Sequence, residues 1–421
     1  MLFLGIDFGT SGARVIVIND DEEIITQVSL SFSCQNTHYL AQQWEDTLYL
    51  LLEKIPIKIR KKIEFISING TSSTVLLCNA EGIPIEKPIL YNDSQDITIF
   101  DKFKSIIPKE HIVNSSTSSL IKLLWWYENN KISPNSYLLH QADWLGFLLH
   151  GELGISDYHN ALKLGYDVEN LCYPDWLKAL PINAVLPDVL PPGTPVRTVK
   201  DDIVKKFNFP KHCLVCTGTT DSIAAFLASG VKNPGEGVTS LGSTLVLKLL
   251  SNKRIEDISS GIYSHRLGNL WLTGGASNTG GAVLKHFFTD EEIEKISKKI
   301  NTNQPTKLDY YPLLKPGERF PINDPKLVSK IEPKPDNKVE FLQGLLESIA
   351  KIEALGYNKL QALGANPITQ IYSAGGGAKN KKWVKIRQNY LQVPVHISPQ
   401  TEAAYGTALL AKRSQITYNY P

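Results

Sequence analysis

Residues 4–14 read Leu-Gly-Ile-Asp-Phe-Gly-Thr-Ser-Gly-Ala-Arg. An apolar strand over 2–6 runs into a carboxylate, Asp7, and then into a turn of small residues, Gly9, Thr10, Ser11 and Gly12. A second apolar strand over 15–18 follows, so the spacing predicts a hairpin. Glycines let a backbone approach a ligand closely, and the N–H groups of such a turn can face phosphate oxygens. A carboxylate at the strand end can hold a hydrated Mg²⁺ beside that phosphate. An ordinary hairpin with a polar turn would read the same way, so the rest of the chain has to decide.

The second half repeats the theme. Residues 238–250 again give a turn of glycine and hydroxyl residues before an apolar strand, with Ser240 where the first copy has its aspartate. Residues 213–230 read as a strand, then Thr217-Gly218-Thr219-Thr220-Asp221, then a helix over 222–229. Residues 370–380 run from a strand into Gly375-Gly376-Gly377-Ala378-Lys379-Asn380. One such loop is weak evidence. Several, paired across two halves, point to a duplicated fold that grips a nucleotide.

At 421 residues the chain exceeds one ordinary core and suits two domains. With 44 basic against 42 acidic side chains and no run of five like charges, it lacks the basic surface expected of a nucleic-acid partner. No apolar stretch approaches the roughly 18 residues that cross a bilayer. The first strand already holds Asp7, which argues against a targeting leader. The expectation is a soluble, cytoplasmic protein with a small-molecule substrate, without nucleic-acid or membrane partners. Cys213 and Cys216 form a Cys-x-x-Cys, but a strand points i and i+3 to opposite faces, so they read as small buried hydrophobes.

Along the chain, a third strand is expected over 23–33, an amphipathic helix over 41–55, strands over 65–68 and 75–78, and helices over 120–127 and 141–150. Trp126 and Trp144 are assigned to the core. Residues 171–212 form a connector with seven prolines, which places a domain boundary near 209. Beyond it strands alternate with helices over 281–288, 339–363, from 382 onward, and 402–413. The pattern is an α/β protein in layers, with domains over 1–209 and 210–421.

Asp221 is the leading catalytic candidate. An aspartate opening a helix caps free N–H groups, which accounts for its presence by itself. A carboxylate there can also take the proton of a hydroxyl that attacks phosphorus. Thr10, Gly242, Ser243 and Thr244 are candidate phosphate contacts. Gly376 and Gly377 would let an adenosine lie against the backbone, and Asn380 and Trp383 could bond and stack on the adenine. Neither a P-loop nor a dinucleotide Gly-x-Gly-x-x-Gly is present. His159 has no partner at metal-ligand spacing and reads as structural.

These residues together resemble the FGGY carbohydrate kinases of the sugar kinase–actin–heat-shock chaperone superfamily. The resemblance rests on Asp7-Phe8-Gly9-Thr10, Gly218-Thr219-Thr220-Asp221-Ser222, Leu241-Gly242-Ser243-Thr244, Gly375-Gly376-Gly377-Ala378-Lys379-Asn380, and the segment Ser156-Asp157-Tyr158-His159-Asn160-Ala161. It implies two ribonuclease-H-like domains flanking a deep cleft, residues 1–209 binding sugar and 210–421 binding nucleotide. It implies transfer of the ATP γ-phosphate to a sugar hydroxyl with Mg²⁺. Asp221 would be the base, and Asp7 and Thr10 would serve the metal and phosphate. Asp7 and Asp221 would serve both acceptor and metal, with Ser72 as a further acceptor contact.

The chain departs from the family in places. Ser119-x-x-Lys122-x-x-Trp125 resembles its Pro-x-x-Lys-x-x-Trp element without the proline. Where xylulose kinases carry Gln-Met-His, and glycerol kinases an Arg-Glu pair, this chain has Thr71-Ser72-Ser73. The short hydroxyl residues are more similar to ribulokinases. The whole pattern most resembles the short cyanobacterial and chloroplast kinases, often named xylulose kinase-like, that act on D-ribulose. D-Ribulose is therefore the expected acceptor and D-xylulose the alternative. An actin- or chaperone-like ATPase without a sugar substrate, or a catalytically dead sugar sensor, is the competing reading from another class. Asp221 and the loop at 70–74 argue against the first, and the intact Asp7, Thr10 and Asp221 against the second.

Overall fold

In the computed structural model, which describes residues 1–32 and 39–419, the opening hairpin forms as read. β1 (Leu2–Phe8) pairs antiparallel with β2 (Gly12–Asn19), placing Asp7 opposite Arg14. β3 (Ile24–Ser31) extends the meander; the last two residues expected in this strand begin with Phe32 and end with Ser33, which lies outside the described residues. β4 (Ile63–Gly70) returns parallel to β1, with Asn69 beside Asp7. β1 is apolar almost throughout because both its faces are covered, whereas β3 alternates and lies at the sheet edge.

β5 (Val75–Cys78) pairs with β6 (Tyr137–His140) as a side ribbon, and β7 (Ile155–Asp157) with β8 (Asp188–Leu190). β9 (Pro195–Thr198) and β10 (Leu214–Cys216) then rejoin the main sheet, and the two-residue β11 (Thr219–Thr220) pairs with the end of β4. The order is β3-β2-β1-β4-β10-β9, with β11 beside β4. The helix Leu40–Lys54 covers one face with Trp44, Leu48, Leu51 and Leu52. Each such burial contributes about 1.5–3 kcal/mol. Trp126 and Trp144 are buried as expected.

The other face is covered by the chain's last helix, Ala403–Asn419, through Ala404, Ala408 and Ala411 against Phe3, Ile16 and Phe65. The helix comes close because β1 has no side chain at Gly5, where a Cβ would stand 2.1 Å from the Ala404 carbonyl oxygen. Cys213 and Cys216 do lie on opposite faces, one in each core cluster, and burial pushes the Cys216 thiol up to about 12.

The remaining strands form a second sheet: β12 (Glu236–Leu241), β13 (Leu245–Ser251), β14 (Tyr263–Leu267), β15 (Leu270–Ser277), β16 (Gln370–Ala374) and β17 (Val395–Ile397). The order is β14-β15-β13-β12-β16-β17, with β12, β16 and β17 parallel. The helix Lys338–Ala362 buries Leu342, Leu345, Leu346 and Ile349 in its core. Arg387 and Glu353, both fully buried, form a two-bonded ion pair in which Arg387 also donates to Ser373.

The chain thus divides into one unit of residues 1–228 with 402–419, and another of Ser229–Thr401. The boundary expected at 209/210 falls between β9 and β10, which are neighbours in one sheet. The prolines of the connector, of which Pro187 is buried and Pro195 opens β9, belong to the first unit and do not mark a link between units. Asp221 and the final helix accordingly belong with residues 1–209. Among the described residues no helix is long and apolar enough to cross a membrane.

Candidate active site

The first unit gathers its polar groups at the carboxyl ends of its parallel strands, where open α/β sheets place ligands. Asp7 and Phe8 close β1, Asn69 and Gly70 close β4, and Thr219-Thr220 lead into Asp221 at the head of the helix Asp221–Ala228. Register alone therefore brings Asp7 and Asp221, 214 positions apart in the chain, to one end of one sheet (221 − 7).

Asp7 is buried, and its carboxyl is pushed up to about 7. Burial is the main cause and the negative charge of Asp221 the next, with Arg14 pulling the other way. Arg14 is itself ion-paired with Glu402 from the segment before the last helix. Asn69 donates to the Ile6 carbonyl at 3.3 Å and to Thr407 Oγ1 at 2.6 Å. Its buried Oδ1 has no protein partner among the described residues. Asp221 is half-buried, and its Oδ1 accepts from the Ser222 N–H at 2.7 Å. Thr10 sits in the exposed turn closed by the Gly9 N–H to Gly12 carbonyl bond.

The loop after β4 is more constrained than its hydroxyl-rich sequence suggests. Thr71 Oγ1 lies 2.6 Å from Thr74 Oγ1, and the Thr71 N–H and hydroxyl both donate to Gln141 Oε1. Thr74 Oγ1 accepts from the Tyr91 N–H at 2.9 Å. Ser73 is buried at φ +66°. Only Ser72 of these four residues is half-exposed. Lys122 belongs to the Ser119-x-x-Lys122-x-x-Trp125 element, whose spacing assigns it no role. It is fully buried, and its amine donates to the Ser73 carbonyl at 2.7 Å and the Leu90 carbonyl at 2.6 Å. Burial pulls its ammonium down to about 7, opposed by the charge of Asp93. A buried lysine at the start of an apolar helix was the available signal; its partners are backbone groups, which no side-chain pattern encodes.

The second unit builds a different site at the equivalent strand ends. The Gly242-Ser243-Thr244 turn joins β12 to β13. The Gly242 and Ser243 carbonyls accept from the N–H groups of Gly281 and Ala282, at the start of the helix Gly281–Phe287. Gly375, at φ +82°, passes so close to Leu241 that a Cβ would meet its carbonyl oxygen at 2.7 Å. A cavity of about 1050 Å³ opens here, lined by Gly242, Ser243, Gly376 and Gly377 and flanked by Lys298 and Lys379. Its size is ample for a nucleotide. Thr244 lies beside this lining, and Thr10 is in the other unit.

Two expected adenine contacts have other work. Trp383 is 1 % exposed, and its indole N–H donates to the Leu346 carbonyl at 3.2 Å. It underlies Gly377, where a Cβ would meet its ring at 2.5 Å. The indole is thus a core support of the glycine loop and offers no open face for stacking. Asn380 caps the helix Lys381–Leu391, accepting from Lys382 and Trp383 N–H groups, and its amide donates to Ser297 Oγ at 2.8 Å. These bonds fix Asn380, which remains half-buried and lines the cavity.

Residues 2–228 match the N-terminal domain of the FGGY family of carbohydrate kinases, and residues 237–414 match its C-terminal domain. This chain belongs to the FGGY family of carbohydrate kinases. Curated relatives of this FGGY chain include a xylulose kinase of Staphylococcus epidermidis, 22 % identical with 97 % of this chain and 87 % of that protein covered. A gluconokinase of Bacillus licheniformis is 20 % identical over 95 % of this chain and 85 % of its own. The same fold is seen in a xylulose kinase from Rhodospirillum rubrum, with TM-score 0.84, 20 % identity, and 99 % and 90 % of the two chains covered. It also recurs in a Plasmodium falciparum glycerol kinase with ADP, with TM-score 0.81, 18 % identity, and coverage of 99 % and 90 %. These structural matches show a shared two-domain α/β fold.

Proposed function

We propose that this FGGY kinase transfers the γ-phosphate of ATP to a hydroxyl of a ketopentose, with D-ribulose, giving D-ribulose 5-phosphate, as its preferred acceptor. The observation that carries the reading is the pairing of Asp7 with Asp221 at one end of the first sheet, beside a loop without charged side chains at 70–74. An uncharged polyol needs no arginine clamp. Short hydroxyls such as that of Ser72 can donate to it and accept from it. The relatives named xylulose kinase favour D-xylulose as the second reading.

In the proposed reaction Asp221 accepts the proton of the acceptor hydroxyl as its oxygen bonds to phosphorus and the bond to ADP breaks. Asp7 orients the acceptor and the metal–phosphate end, with Thr10 on the same turn. Gly242, Ser243, Gly376 and Gly377 bind the nucleotide in the second unit, with Thr244 beside them.

The residues of the first unit fit a Mg²⁺ ion. Mg²⁺ keeps most of its waters and takes one or two carboxylates plus phosphate oxygens. Asp7 and Asp221 supply those carboxylates and repel one another without a cation, and the buried Asn69 Oδ1 is unpartnered among the described residues. When bound, the ion would neutralise phosphate charge.

A coupled ADP-release screen over D-ribulose, D-xylulose, gluconate and glycerol tests the reading. The expected result is the highest kcat/KM with D-ribulose. A clear preference for D-xylulose would reverse the acceptor assignment. ADP release at the same rate without any sugar would reverse the kinase assignment in favour of an ATPase.

A further inference from the structure

We propose that His159 is a positioning residue, holding the strand that carries Asp221 through its bond to Thr219; the proposal rests on the reading of Asp221 as the base. β11 is the shortest strand of the first sheet. It has two residues, paired to β4 only at Thr219–Asn69 and Thr220–Gly70. The helix that follows Asp221 is secured at its far side, where Gly406 of the last helix approaches the Ala224 carbonyl. The near end, where the carboxylate sits, depends on what holds β11.

His159 supplies that hold. The imidazole is 2 % exposed, and its Nδ1 lies 2.8 Å from Thr219 Oγ1, within hydrogen-bond distance. Thr219 is fully buried, so this bond is made out of water, where an alternative partner is costly to replace. The histidine is itself fixed from behind. Its backbone N–H donates to Asp157 Oδ1 at 2.8 Å, and Asp157 also accepts from the Asn160 N–H and from the Asn160 amide at 2.6 Å. The Tyr158 ring packs edge-on against the imidazole at a centroid distance of 4.8 Å. A short capped turn, Tyr158–Ala161, thus aims one ring nitrogen at the strand stub. A base must meet its proton within hydrogen-bond reach, so a loosened β11 would reduce the chemical step more than ligand binding.

The test measures kcat, both KM values and thermal midpoint for the full-length protein with its best ketopentose. His159→Asn keeps a polar atom near the Nδ1 position, whereas His159→Gln moves it toward Nε2. His159→Gln is expected to lower kcat about tenfold or more, the scale of a displaced catalytic group. Both KM values should stay within about twofold, a split that marks loss of transition-state stabilisation. His159→Asn should recover most of kcat at a thermal midpoint similar to that of His159→Gln. Thr219→Val removes the same bond from the other side and should repeat the kcat loss, which keeps the test open if His159→Gln fails to fold. Equal kcat in His159→Gln and the native protein, equal losses in the Asn and Gln variants, or a loss confined to KM would overturn the proposal. Asp221→Asn run alongside separates the readings: an active Asp221→Asn enzyme removes the base assignment itself, whereas an inactive one with unaffected His159 and Thr219 variants removes only the role of His159.

Discussion

The turn after β1 and the turn after β12 occupy equivalent places in the two sheets, and they are built for different work. Each follows a strand flanked by an antiparallel hairpin partner on one side and a parallel strand on the other: β2 and β4 for β1, β13 and β16 for β12. The first copy carries Asp7 and stands with Asp221. The second has Ser240 at that place and stands with a triple-glycine loop and a lysine-flanked cavity. One topology therefore presents a pair of carboxylates in one unit and a glycine-lined, lysine-flanked cavity in the other. What separates them is a few residues at the strand ends, because the carboxyl edge of a parallel sheet is where a ligand is met.

That contrast predicts separable losses. The largest should come from Asp221→Asn, which keeps the shape and removes the proton acceptor. Turnover should fall by roughly 10²–10⁴-fold, about 3–5 kcal/mol on the barrier, while nucleotide binding measured by calorimetry persists. Near-native turnover would dissolve the distinction between the two turns. Trp383→Ala probes the other side. Removing a buried indole should cost about 3–5 kcal/mol of stability, read as a lower denaturation midpoint. Nucleotide affinity lost at unchanged stability would instead return the indole to the adenine site.

The next effect is on pH dependence. Asp7 has an ordinary value near 3.8 and is raised to about 7 in the fold. Below pH 4 it is protonated in both states, and its contribution is fully present. As pH rises through about 7 the buried carboxyl ionises beside Asp221, and that contribution is lost, on the order of 2–4 kcal/mol. Asp7→Asn should flatten the decline between pH 4 and 8 while turnover falls. An unchanged pH profile would show that the first turn carries no electrostatic strain. The smallest effect is expected for Ser72→Ala. Loss of one hydrogen bond to a neutral acceptor, about 1 kcal/mol, should raise the ketopentose KM by several-fold and leave the KM for ATP unchanged. A shift in the ATP value would place Ser72 with the nucleotide.

The site residues were legible in uneven measure. Asp7, Asp221 and the glycine loops announce themselves by position, a carboxylate or a run of glycines directly after an apolar strand. Lys122, Gln141 and the His159–Thr219 bond do not, since their meaning lies in backbone carbonyls and buried hydroxyls reached from distant segments. Trp383 and Asn380 were legible as residues, and both stand at the cavity wall, but the Trp383 ring is buried in the core beneath it. A tryptophan after a glycine loop reads alike whether its ring faces a ligand or the core, and the decision came from the Leu346 carbonyl waiting in the Lys338–Ala362 helix.

By itself the sequence determined the α/β class, the duplicated glycine turns, the FGGY motifs and the strand-end carboxylates, because hydrophobic period and turn chemistry are local properties of the chain. The tertiary structure decided the rest: that residues 210–228 and 402–419 belong to the first unit, and which polar side chains are spent on the scaffold. The physical reason is register and close approach. β10 finds β4, and the last helix settles on the bare backbone of Gly5, through contacts between residues well over a hundred positions apart.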